Sequence, residues 1–147
     1  MRNKLLPALV LALFAGPVMA ADCEFTIEGN DALQFSTNLI EANASCGTVK
    51  VTLKHTGKLA ANVMGHNFVL SASGDFQAVA TDAVGAGLDN NYVPPGDKRV
   101  LAATKIIGGG ESTSVDIDVS GMAGKEYTFF CSFPGHWSIM KGTFRVK

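Results

Sequence analysis

The stretch Tyr127-Thr128-Phe129-Phe130-Cys131-Ser132-Phe133-Pro134-Gly135-His136-Trp137-Ser138-Ile139-Met140, near the C-terminus, changes its pattern halfway and carries its chemistry at the change. Tyr127, Phe129 and Cys131 alternate, so on a strand they share one face and send the cysteine sulfur toward the interior of a sheet protein. Pro134-Gly135 suits the two central positions of a tight turn, because proline pre-sets its φ and glycine accepts a positive one. That turn folds His136 back toward Cys131. If one helical turn follows, Met140 lies four residues on and faces the same side as His136. A thiolate, an imidazole and a thioether thus converge from one short segment.

Such a donor set points to copper. Thiolate and thioether suit Cu(I), imidazole suits both oxidation states, and a cysteine with two histidines and a weak axial methionine describes a blue electron-transfer site. Zinc closes its tetrahedron with cysteine, histidine or carboxylate and has no use for Met140. The second imidazole must come from elsewhere, and the chain has three histidines, His55, His66 and His136. His66 is the better candidate: Gly65 before it lets the backbone approach closely and aim its carbonyl at the ion. His55 falls on the inward face of a Val49-Val51-Leu53 strand, where a lone histidine is an ordinary hydrogen-bonded core residue.

Elsewhere apolar residues alternate in short runs separated by Gly, Asn and Asp, which predicts an all-β sandwich or barrel. Val49, Val51, Leu53 and His55 form one such face, Val115, Ile117 and Val119 another, Phe144 and Val146 a third. The exception is about Phe76 to Val84, where Phe76, Val79, Ala80 and Ala83 recur at helical spacing. Gly108-Gly109-Gly110 lacks the strand-to-helix setting and the Lys-Ser/Thr of a phosphate loop and is expected to be a hairpin connection.

Residues 1–20 carry Arg2 and Lys4, an apolar run from Leu5 to Phe14 and the small-x-small ending Val18-Met19-Ala20, the pattern of a secretory signal cleaved after Ala20. The run is too short to span a bilayer, which needs roughly 20 residues, so residues 21–147 are expected as one exported, soluble domain without membrane insertion. Losing Arg2 and Lys4 leaves 10 basic against 13 acidic residues, a formal −3, which offers nothing to nucleic acid. Three cysteines leave one odd thiol. If Cys131 ligates a metal, Cys23 pairs with Cys46, as an oxidising compartment favours.

The segments Asn62-Val63-Met64-Gly65-His66-Asn67 and Cys131 to Gly142, with Arg99 to Gly110 and the Gly29-Asn30-Asp31 triplet, resemble the azurins, bacterial blue copper proteins of the cupredoxin family. The resemblance runs through residues 21–147. It implies an eight-stranded Greek-key β-sandwich with a helical flap between strands and one copper ion held by His66, Cys131, His136 and Met140, with the Gly65 carbonyl as weak axial partner. It further implies N–H groups of Asn67 and Phe133 directed at the sulfur, and a pH-linked role for His55. A periplasmic electron carrier would follow, its redox partners docking on an apolar surface of Leu33, Leu59, Val63, Met64, Val84, Phe133 and Gly135; helical-turn geometry turns Trp137 away from the face that His136 and Met140 share and so places it on the rim. Phe68 and Ala103 depart from azurins that carry tryptophan and histidine there; neither touches the ligand set.

Three histidines are too few for a second copper centre, so a multicopper enzyme is excluded. A cysteine hydrolase built on Cys131 lacks an orienting acid and an entry cleft. Copper storage or delivery would call for exposed, exchangeable ligands and fits the set less well than electron transfer.

Overall fold

Alternating burial builds eight strands in the structure, a computed structural model that describes residues 23–147. The expected signal over residues 1–20 lies outside the described residues. In chain order the elements are β1 (Glu24–Gly29), β2 (Leu39–Ala42), β3 (Thr48–His55), α1 (Ala61–Met64), β4 (Val69–Ala72), α2 (Phe76–Ala86), β5 (Val100–Ala103), β6 (Ser112–Asp118), β7 (Tyr127–Phe130) and β8 (Lys141–Val146). They form two sheets, β1-β3-β6 and β2-β8-β7-β4-β5. β1 runs parallel to β3 and β2 parallel to β8, while β7 is antiparallel to both neighbours.

The main core lies between the sheets. Ile27, Val49, Val51, Leu53 and Ile117 from the smaller sheet meet Ile40, Leu70, Phe129 and Phe144 from the larger one. Phe68, where azurins with tryptophan carry the larger ring, is fully buried and stacks on Phe129 with centroids 5.5 Å apart. Burying one such ring contributes about 3 kcal/mol.

A second cluster explains why both members of the Phe129-Phe130 pair are buried. Phe129 points into the sandwich; Phe130 points outward, where Val69, Phe76, Val79 and Ala80 cover it. The helical spacing of Phe76, Val79, Ala80 and Ala83 has therefore produced α2, laid on the outer face of the larger sheet with those residues turned inward. Gly87, at φ +73, ends it in a conformation that favours glycine. Trp137 leans on the same cluster, its ring edge-on to Phe76 at 5.7 Å.

One expectation is corrected. The Gly108-Gly109-Gly110 segment joins β5 to β6, which lie in different sheets, so it is a crossing between layers and closes no hairpin. Two of its glycines serve close approach, since a Cβ on Gly108 or Gly109 would lie 2.6 Å from the backbone of Ala61 or Lys58, and Gly110 takes φ +81.

Cys23 and Cys46 form a disulfide across a sequence separation of 23 residues. Cys46 precedes β3, whose other end carries His55, so the bridge stands about 25 Å from that end at ~3.3 Å per residue. Replacing both cysteines by serine should lower unfolding free energy by about 3 kcal/mol in a denaturant titration and leave metal binding unchanged. Thiol counting on the denatured, metal-free wild type should find the single free sulfur of Cys131; a count of three would sink the bridge.

Candidate metal centre

The end of β7, the loop after β3 and the Pro134-Gly135 turn meet at one pole of the sandwich. Cys131 follows β7 with the inward parity of Tyr127 and Phe129 and is fully buried. His136 N–H donates to the Phe133 carbonyl at 3.0 Å and Gly135 takes φ +82, so Pro134-Gly135 makes the tight turn the sequence predicts. Met140 N–H donates to the His136 carbonyl at 2.8 Å, closing one helical turn, and the Met140 carbonyl accepts from Cys131 N–H at 3.0 Å.

His136 Nδ1 lies 3.6 Å and His66 Nδ1 3.8 Å from the Cys131 sulfur. The three donor atoms all fall within 4.8 Å of one another. The Gly65 carbonyl is 3.8 Å from the sulfur. Met140 is fully buried, and its methyl and the His66 ring both flank the empty side of Gly29. Gly65 has an unexceptional φ of −68, so it is not needed for a left-handed backbone. It is needed for space: a Cβ there would collide with the Ala61 carbonyl and with Ile106.

Each imidazole is held by its other atoms. His66 Nε2–H donates to the Asn30 carbonyl at 2.9 Å, which leaves the Nδ1 lone pair facing the sulfur. The His66 backbone exchanges two hydrogen bonds with Ile107. The His136 ring lies against Phe133 at 4.5 Å. His55 does not join the cluster. It stacks behind His66 at 4.4 Å and 17°, donates Nε2–H to the Met64 carbonyl at 2.8 Å and accepts from Gly57 N–H at 3.0 Å.

Asn67 ties the two ligand segments. Its Oδ1 accepts from Ser132 N–H and its Nδ2 donates to Ser132 Oγ, each at 2.8 Å. Nδ2 also donates to the Asn91 carbonyl at 2.8 Å, and Ser132 Oγ–H donates to the Tyr92 carbonyl at 2.7 Å. As site residues Ser132, Asn91 and Tyr92 escaped the sequence reading, and Asn30 entered it only within the Gly29-Asn30-Asp31 triplet.

Burial sets the protonation. The Cys131 thiol is pushed up to about 12 by desolvation, against the opposing pull of the Asn67 and Phe133 N–H groups. His136 is pushed down to about 4, first by burial and then by repulsion from the other histidines, and His66 is lowered chiefly by burial. Near neutral pH the cluster is therefore one thiol and two uncharged imidazoles. His66 Nδ1 already offers its lone pair and a neutral His136 can carry its proton on Nε2, so only the sulfur must lose a proton.

The residues of the expected docking surface differ in exposure. Val63 and Val84 are more than half exposed, Leu59 and Gly135 are exposed, and Leu33, Met64, Phe133 and Trp137 are half-buried.

The donors fit copper: soft sulfur, two imidazole nitrogens, a thioether behind them, and no carboxylate in the cluster. An eight-stranded sandwich with such a cluster sealed into one pole defines a single-ion, copper-binding member of the cupredoxin class. A profile of copper binding proteins of the plastocyanin/azurin family matches residues 21–147. Azurin of Bordetella pertussis is 55% identical over 93% of this chain and 92% of its own length, and azurin of Pseudomonas aeruginosa 49% identical over the whole of both. A solved azurin (Az-iso2) from Methylomonas sp. strain J aligns with a TM-score of 0.82 at 48% identity, covering 86% of this chain and 99% of that one. The chain belongs to the plastocyanin/azurin family of copper-binding proteins, and these relatives are azurins.

With Cys131 at about 12 and His136 at about 4, binding near neutral pH should release one proton per ion. The apparent affinity for Cu(II) should then rise about tenfold per pH unit between pH 6.5 and 9. A pH-stat titration in unbuffered solution checks it; release of two or more protons would mean that an imidazole had been charged.

Proposed function

We propose that this chain is a periplasmic electron carrier, exported with residues 1–20 removed after Ala20, in which residues 21–147 act as one domain around a single blue copper site. The observation that carries this reading is the preassembled, buried Cys131-His66-His136 cluster. When bound, the ion supplies a one-electron Cu(I)/Cu(II) couple. His66, Cys131 and His136 would hold it, with Met140 and the Gly65 carbonyl as weaker donors, and the N–H groups of Asn67 and Phe133 would offset the thiolate charge.

The protein's contribution is restraint. Electron transfer is fastest where the donor positions suit both oxidation states, and side chains locked by packing and hydrogen bonds provide that. Burial of the donors also argues against copper delivery, which needs exchangeable ligands, and the reading assigns no enzymatic step. Among the described residues no helix is long and apolar enough to cross a membrane.

His136 is 5% exposed, while His66, Cys131 and Met140 are 0%. It is the ligand through which an electron leaves, and the apolar residues around it (Leu33, Leu59, Val63, Met64, Val84, Phe133 and Gly135) form the face on which redox proteins dock. Trp137 lends this face its exposed edge only, the rest of its ring being packed on Phe76. Small apolar contacts of this kind release quickly.

Adding Cu(II) to the purified protein should produce an intense visible charge-transfer band. Cys131→Ser should abolish it, and Met140→Leu should keep it while raising the reduction potential, because the thiolate makes the band and the thioether only modulates it. A blue Cys131→Ser protein would overturn the ligand assignment. Electron self-exchange should depend weakly on ionic strength, since screening acts on charges and not on apolar burial, and Met64→Lys should slow it at least tenfold, a penalty of about 1.4 kcal/mol in the encounter. A rate steep in salt and indifferent to Met64→Lys would move the docking face elsewhere.

A further inference from the structure

Asn91 and Tyr92 are consecutive non-glycine residues in the left-handed region, at φ +55 and +51. They lie just beyond α2, far in sequence from every ligand. A helical twist of either hand makes successive carbonyls point the same way, whereas an extended chain alternates them. The left-handed pair therefore sends two adjacent carbonyls to one side, and both are used there. Asn91 O accepts from Asn67 Nδ2 and Tyr92 O accepts from Ser132 Oγ.

Their side chains reach further. Asn91 Oδ1 accepts from Ile106 N–H at 2.8 Å, and the next residue, Ile107, is the one paired twice with the His66 backbone. The Tyr92 ring meets Phe133 edge-on at 5.2 Å, and Phe133 lies against His136. This one loop thus touches a neighbour of every strong donor: Asn67 and Ile106 beside His66, Ser132 beside Cys131, and Phe133 against His136.

We propose that Asn91 and Tyr92 are positioning residues of the metal centre, a third leg that contributes no ligand and locks the two ligand-bearing segments in register before any ion arrives. Asparagine suits the first position because it tolerates the left-handed region better than other side chains do. Tyrosine at the second has no such dispensation, and its conformation is held by the two carbonyl contacts and by the ring on Phe133. The proposal rests on the copper reading for its consequence in electron transfer, but the preorganisation itself belongs to the metal-free chain.

The test separates the two. In the metal-free full chain, Asn91→Gly keeps the left-handed backbone and both carbonyls and removes only Oδ1. Amide hydrogen exchange should quicken at Ile106, whose partner is lost, and also about tenfold at His66 and Ser132, the factor for removing one net hydrogen bond from the opening equilibrium. Asn91→Asp, which retains the acceptor, should restore protection at both. In the copper-loaded protein Asn91→Gly should alter the Cu(II) hyperfine splitting and slow self-exchange. Tyr92→Asn, which keeps both carbonyls, should alter the splitting through the His136 side alone.

Exchange that changes only at Ile106, or that Asn91→Asp leaves fast, overturns the proposal even if thermal stability falls. Unaltered splitting in Tyr92→Asn removes the His136 leg. Should Asn91→Gly fail to fold, Tyr92→Asn carries the test alone, and an unaltered splitting there overturns the proposal. A wild-type chain that takes up no copper would defeat the functional reading and leave the exchange experiment valid.

Discussion

The paired hydrogen bonds between Asn67 and Ser132 join residues 65 positions apart with both side chains buried. Breaking them would leave amide, hydroxyl and backbone groups unsatisfied in an apolar setting, at about 1–3 kcal/mol each. That penalty fixes the distance between the loop carrying His66 and the segment after β7 that carries Cys131. The rest of the site follows from it. Once Asn67 and Ser132 are joined, the Cys131 sulfur has nowhere to point except between the two imidazoles, and the Pro134-Gly135 turn brings His136 over it.

The sandwich makes so demanding a contact affordable. A thiol and two imidazoles facing one another without water would normally be a liability, since three polar groups are desolvated with weak mutual bonds. Here the remaining needs are largely met: His66 by Asn30, the sulfur by the N–H groups of Asn67 and Phe133, while His136 keeps 5% of its surface toward solvent. Burial then keeps all three uncharged near neutral pH. Left-handed φ at Asn91 and Tyr92 costs about 1–3 kcal/mol for each residue, and the main core supplies that margin.

Local chemistry was legible in the sequence because it is local. Tyr127, Phe129 and Cys131 share a face by strand parity, Phe76, Val79, Ala80 and Ala83 by helical spacing, and His136 and Met140 by a single turn; each needs only neighbours along the chain. The odd-cysteine argument identified the Cys23–Cys46 bridge for the same economical reason. What could not be read depends on contacts between distant segments. Gly65 suggested a close approach, but that Ala61 and Ile106 are what approach it is set by tertiary packing. The three glycines at 108–110 suggested a hairpin, but the strands they join belong to different sheets. Ser132, Asn91 and Tyr92 carry no motif, since a serine or a carbonyl becomes a brace only when tertiary structure sets it opposite Asn67. The resemblance to azurins supplied the Greek-key sheet architecture that periodicity alone left open.

The placement of the three sulfurs at opposite poles has a bearing on maturation. In an oxidising compartment any two of three thiols can couple in an unfolded chain, and a bond from Cys131 to Cys23 or Cys46 would trap a dead-end isomer. Cys23 and Cys46 are separated by only 23 residues and lie beside the β1–β3 pairing, so their encounter is the short-loop event. Cys131 sits 85 residues beyond Cys46, and once the sheets close it is sealed at the far end. The fold thus acts as its own proofreader, with chain order favouring the correct bridge first and distance then insulating the remaining thiol from miscoupling.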